Sequence, residues 1–155
     1  MKHIIFNTHL KKNIYDINYD LSFQKLCIHN MYYDICNEPH IESELKKKIS
    51  SYKQQDKKKN KYDQVSHITY KELIQKLYDC DLKCYYCKHD LYILYKHKKS
   101  MTQWSLERLN NNIGHYSNNT CISCLRCNLQ RRNDNHEYFK FSKQLNIIRM
   151  DDKSI

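Results

Sequence analysis

W-S-L-E-R-L-N-N-N-I-G-H-Y-S-N-N-T-C-I-S-C-L-R-C-N-L-Q-R-R, residues 104–132, is the stretch on which the fold turns. Trp104 to Arg108 reads as a strand and Thr120 to Ser123 as its returning partner. Asn110-Asn111-Asn112-Ile113-Gly114 forms the loop region between them. From Cys124 the pattern of Leu125 and Leu129 among polar neighbours reads as a helix, with Cys127 and Asn128 in its first turn. Gly114 is the only glycine in the chain, so it is expected where positive φ or close backbone approach is required.

The same stretch closes a cysteine pattern. Cys84-x-x-Cys87 and Cys124-x-x-Cys127 are two knuckles, and together they supply the four thiolates that a tetrahedral zinc ion takes. A two-residue gap lets both sulfurs of one knuckle face the same ion, and the hairpin returns the second knuckle to the first. Cys121-x-x-Cys124 has the same spacing, and Cys80 is near the first pair. Cys127 is preferred over Cys121 because Cys121 falls inside the returning strand. The alternative is four reduced cysteines with no metal. Cys27, His29, Cys36 and His40 contain two Cys and two His but lack a tight pair, and read as ordinary packed or exposed side chains.

Upstream, Thr69 followed by Glu72 is a capping box, and Tyr70, Leu73, Ile74, Leu77 and Tyr78 give the helix it opens an apolar stripe. Lys83 to Lys88 reads as a knuckle at a tight hairpin, and Leu91 to Tyr95 as a strand. A helix is expected from Pro39, with Ile41, Leu45, Ile49 and Tyr52 on one face. The polar run 54–61 reads as a solvated linker with phosphate contact as a second use. Leu21, Phe23, Leu26, Cys27 and Ile28 form an apolar cluster, either helix or strand. Past Asn135, Tyr138, Phe141, Leu145 and Ile148 mark a last amphipathic helix. The division expected is an N-terminal extension of open role over 1–62, ending in the basic linker, and a domain over 63–150.

The formal charge of +10, from 27 basic and 17 acidic residues, favours a polyanionic partner, with a merely soluble Lys-rich surface as the alternative. One Gly and one Pro argue against a Gly-rich phosphate loop. Residues 1–12 carry no apolar signal core and no long apolar run spans a membrane, so paired C-x-x-C spacing points to metal in a reducing compartment and an intracellular, soluble chain.

The string from Ser105 to Arg132, with the T-Y-K-E-L-I helix and the Cys84 knuckle upstream, resembles the HNH endonucleases of the His-Me (ββα-metal) superfamily, in the branch with a C-x-x-C-N-x-x-R ending. The likeness covers about residues 66–142. It implies an α+β fold, a ββα-metal module with a structural zinc knuckle pair and flanking helices, that hydrolyses DNA phosphodiester bonds, with the choice between DNA and RNA left open. On the family pattern, Glu107 and Asn128 match ligands of a separate Mg²⁺ or Mn²⁺ ion, and Asn119 matches the asparagine that fixes the loop. Many relatives have Asp at the Glu107 position. Arg108 stands where the superfamily at large carries the histidine that deprotonates water, and an arginine stays protonated. His115 is the substitute candidate for that base, with Arg108 as a phosphate clamp. Arg126, Arg131, Arg132 and Lys140 are the expected phosphate contacts. A zinc-stabilised nucleic-acid-binding module without chemistry, and a zinc scaffold that docks on another protein through its tyrosines, are the alternatives. No oligomeric state is read from the sequence.

Overall fold

The computed structural model describes residues 17–148. It is mixed α+β, with five α-helices and one two-stranded antiparallel sheet: α1 (Leu21–Tyr32), α2 (Pro39–Lys58), α3 (Tyr70–Asp79), β1 (Trp104–Arg108), β2 (Thr120–Cys124), α4 (Leu125–Arg131) and α5 (His136–Gln144). The expected tail and the start of the chain lie outside the described residues.

The local signals explain most boundaries. Asp20 caps α1 by accepting from the Phe23 N–H, which settles the apolar cluster there as a helix. Pro39 opens α2, where its missing N–H costs nothing. At α3 the Thr69 and Glu72 side chains each accept the other's backbone N–H, the reciprocal pair the sequence announces. Strands β1 and β2 pair from Trp104 opposite Cys124 to Arg108 opposite Thr120.

Three expectations change. The polar run 54–61 is no linker: α2 continues to Lys58, because Asp56 extends the stripe Ile41, Leu45, Ile49, Tyr52 by one more turn and is itself fully buried. The 91–95 segment makes an isolated bridge, Tyr92 to Gln103, instead of a strand, although Leu91 and Ile93 are fully buried. On α5 the expected stripe faces solvent, with Tyr138 79% and Phe141 67% exposed, and Phe139 is the residue that packs inward, edge-on to Tyr86 at 5.0 Å.

One apolar core runs through both expected segments. Cys27, Ile28 and Met31 of α1 and Ile41 and Leu45 of α2 pack with Leu73 and Leu77 of α3, and the same cluster continues to Trp104 and Leu106 of β1. Residues 17–62 are therefore built into the body that carries the hairpin. Gln24, fully buried on α1, ties the two by accepting the Ile93 and Leu94 N–H groups at 2.8 and 2.9 Å. Burying an amide in this way is tolerable because its oxygen is satisfied twice.

Candidate functional site: a thiolate cluster and two faces of one hairpin

Cys84, Cys87, Cys124 and Cys127 bring their sulfurs within 4.8 Å of one another, a group that can hold a metal ion such as zinc. Each knuckle is shaped by its backbone. The Lys88 N–H bonds the Cys84 carbonyl at 3.0 Å and Lys88 takes φ 62°, which turns the chain tightly after Cys87. Cys124 is the N-cap of α4 and its sulfur accepts the Cys127 N–H at 3.4 Å, while the Cys84 sulfur accepts the Cys124 N–H at 3.3 Å. Hydrogen bonding from Cys124 holds the Cys84 thiol down, to about 4, and pushes Cys124 itself upward. Burial likewise pushes the Cys127 thiol up, so a cation bound by the set would have to displace protons from these sulfurs. Cys121 lies inside β2, opposite Glu107, and takes no part in the cluster.

A helix that starts in this cluster has a fixed direction. Along β1 successive side chains alternate faces, so Ser105 and Glu107 point to one side, and α4 covers that side. Asn128 Nδ2 donates to Ser105 Oγ at 3.2 Å. One turn on, Arg131 is 2% exposed and grips Glu107, with Nε and Nη2 donating to Oε1 at 2.9 and 2.6 Å. Its guanidinium also bonds the carbonyls of Arg108 and Asp134. Arg131 is therefore a buried clamp, which corrects its expected role as an exposed phosphate contact. Glu107 is 5% exposed, and burial raises its carboxyl above the ordinary range against the pull of Arg131. Both arginine bonds fall on Oε1; among the described residues Oε2 accepts none, and neither does the Asn128 Oδ1.

The other side of β1 meets α2. Lys48 lies 4.6 Å over the Trp104 ring and donates to the Trp104 carbonyl at 2.6 Å. The Tyr52 hydroxyl accepts the Leu106 N–H. His115 belongs to this side: its ring lies 4.6 Å from that of Tyr52, and Nδ1 meets Asp56 Oδ1 at 2.8 Å. Asp56 Oδ2 accepts the His115 backbone N–H at 2.6 Å. At 4% exposure His115 is enclosed, and no hydrogen bond joins it to Glu107 or Asn128. Burial lowers its imidazole to about 4, outweighing the Asp56 carboxylate. The expectation of an accessible loop base therefore gives way to a loop histidine locked by α2.

Asn119 fixes the loop from within. Its amide accepts the Asn110 N–H at 2.9 Å and donates to the carbonyls of Asn110 and Gly114 at 2.9 and 3.1 Å. Gly114 does not take positive φ, but a Cβ there would sit 2.4 Å from the Lys61 carbonyl and 2.8 Å from Asp56 Oδ2, so close approach is what requires it. Arg108 half-emerges at the rim, donating to the Asn111 and Ile113 carbonyls at 3.3 Å each. Arg126 and Arg132 are exposed, and Lys140 sits 4.0 Å over the Tyr85 ring.

Asp56, Tyr52 and Ser105 are the site residues that sequence reasoning missed. The signal for Asp56 was its place four residues after Tyr52 on the buried stripe. Among the described residues no helix is long and apolar enough to cross a membrane. Comparison with family models, with curated proteins and with solved structures gives no match to this chain.

Proposed function

We propose that the chain is a metal-dependent endonuclease of the HNH type, hydrolysing DNA phosphodiester bonds on the α4 face of its hairpin. The supporting observation is the pair of oxygens on that face that have no partner among the described residues, Glu107 Oε2 and Asn128 Oδ1. A carboxylate oxygen and an amide oxygen are hard donors of the kind that Mg²⁺ or Mn²⁺ takes from protein. Arg131 and Ser105 hold the remaining atoms of the two side chains, so Glu107 and Asn128 are oriented in advance of any ligand. A divalent cation held there supplies Lewis-acid stabilisation of charge developing at the phosphodiester. Arg108 at the end of β1 contributes a permanent positive charge to the phosphate, and the thiolate cluster, carrying zinc, fixes the start of α4. His115 acts at one remove, by holding the loop through Asp56.

The binding-only reading draws on a different observation. Glu107 is already paired with a guanidinium, and an arginine occupies position 108, where no proton can be accepted. Supercoiled plasmid at low salt with Mg²⁺ or Mn²⁺ separates the two. Relaxation that stops when Mg²⁺ and Mn²⁺ are withheld from the zinc-loaded protein, and in Glu107→Gln and Asn128→Ala proteins that retain their zinc, is the expected result. An intact plasmid with either ion, alongside salt-sensitive binding, overturns the nuclease and leaves the binding module.

A further inference from the structure

Lys61, Arg108 and Arg132 meet at one loop residue, Asn111, and two more lysines of α2, Lys53 and Lys57, lie at Tyr62, next in the chain to Lys61. Lys61, just past α2, donates to the Asn111 carbonyl at 2.6 Å, and Arg108 at the end of β1 donates to the same oxygen at 3.3 Å. The Asn111 amide donates to the carbonyl of Arg132, at the end of α4, at 2.8 Å. Lys53 and Lys57, one turn apart on α2, lie 5.3 and 5.2 Å from the centre of the Tyr62 ring. The Lys61 carbonyl accepts the Tyr116 hydroxyl at 3.0 Å, so this edge of the molecule is held in place.

Among the described residues no carboxylate pairs with Lys53, Lys57, Lys61, Arg108 or Arg132. Asp56, the carboxylate among them on α2, is turned inward to His115, and Asp63 is engaged by the Ser66 N–H at 2.8 Å. Lys25 and Lys83, by contrast, are paired with Asp81 and Asp90 elsewhere on the surface. Like charges held close and unpaired repel one another, and a polyanion relieves that repulsion by displacing their counterions. The rim also adjoins the α4 face, since Arg131 donates both to Asn111 Oδ1 at 3.1 Å and to Glu107.

We infer that Lys53, Lys57, Lys61, Arg108 and Arg132 form a surface that tracks the phosphodiester backbone of nucleic acid, with α2 as a substrate-binding element. This deepens the nuclease reading by naming the surface that delivers its substrate, but binding does not depend on the chemistry. Its contacts are to phosphate, so they position the strand without reading sequence.

The test is binding of the full, zinc-loaded chain to a labelled DNA duplex with Mg²⁺ and Mn²⁺ withheld, titrated with salt, with an RNA duplex of the same sequence as a second arm. A Lys53→Gln/Lys57→Gln protein and an Arg132→Gln protein are compared with Lys83→Gln, each checked for zinc content and melting temperature. The double variant should bind about tenfold more weakly, and its slope of log affinity against log salt should flatten by about two. Lys83→Gln should change affinity less than twofold. Rim variants that bind like the parent, or parent protein that ignores both duplexes yet is retained by anionic phospholipid vesicles, overturn the surface. Rim-dependent binding with plasmid intact in Mg²⁺ keeps the surface and removes the nuclease. Plasmid relaxed at parental rate by the double variant does the reverse.

Discussion

The two faces of one short hairpin treat their polar groups in opposite ways. On the α2 face both oxygens of Asp56 are consumed by His115, and the groups there hold a helix to a loop. On the α4 face Glu107 and Asn128 are each held by one end, and each keeps an oxygen without a partner among the described residues. A buried polar group whose bonds are all made is a fastening. One with a lone pair to spare, oriented by its neighbours, is placed for a ligand.

The largest effect that sharpens this contrast is expected at the thiolates. Structural zinc contributes on the order of 10 kcal/mol in small zinc modules. Cys84→Ser, or chelation, should therefore abolish cooperative melting of the hairpin and α4, while near one zinc per chain is expected in the parent by metal analysis. Cooperative melting in zinc-free protein would show that the α4 face needs no metal to form.

Next in size are the clamps. Asp56→Ala leaves the His115 N–H groups buried without an acceptor, and Arg131→Ala leaves Glu107 buried without a cation. Each should cost about 3 kcal/mol in denaturant unfolding. Glu107→Gln should cost less, because the amide oxygen still accepts from Arg131. Cleavage should nevertheless be lost in Glu107→Gln, and that divergence between stability and activity is absent on the α2 face. An Asp56→Ala protein as stable as the parent would remove the fastening.

The smallest effect is a pH dependence confined to the α2 face. His115 sits at about 4 when folded, below the ordinary imidazole value of 6.5, because burial disfavours its charge. As pH falls below 6.5 the unfolded chain takes the proton first, so stability is complete above that pH and drains between 6.5 and 4. About 2 kcal/mol should be lost between pH 6.5 and 5, and most of the loss should disappear in His115→Gln. Denaturant midpoints between pH 7 and 5 measure it; an unchanged slope in the variant would assign the titration elsewhere.

Much of the fold near the site was legible because its causes are local. Thr69 and Glu72 lie three residues apart, the two knuckles carry their geometry in a two-residue gap, and period-two alternation places Ser105 and Glu107 on a common face whatever the rest of the chain does. The cluster chosen from Cys84, Cys87, Cys124 and Cys127 is the one the structure gathers. Asp56 was hidden by its company, since lysines before and after it make a helix end look like a solvated run. Arg131 was hidden in the same way, because a basic residue near a helix end normally snorkels to water. The α5 stripe failed because Phe139, one residue off the expected face, found Tyr86.

The sequence by itself determined the hairpin, the cap of α3, the thiolate set and the common side of β1 that Ser105 and Glu107 share, since each follows from spacing along a regular backbone. Only the tertiary structure decided which charges are buried and which are free. Burial depends on what other segments bring from far along the chain, as Asp56 reaches His115 and Arg131 reaches Glu107. A charge is tolerated inside only where such a partner arrives.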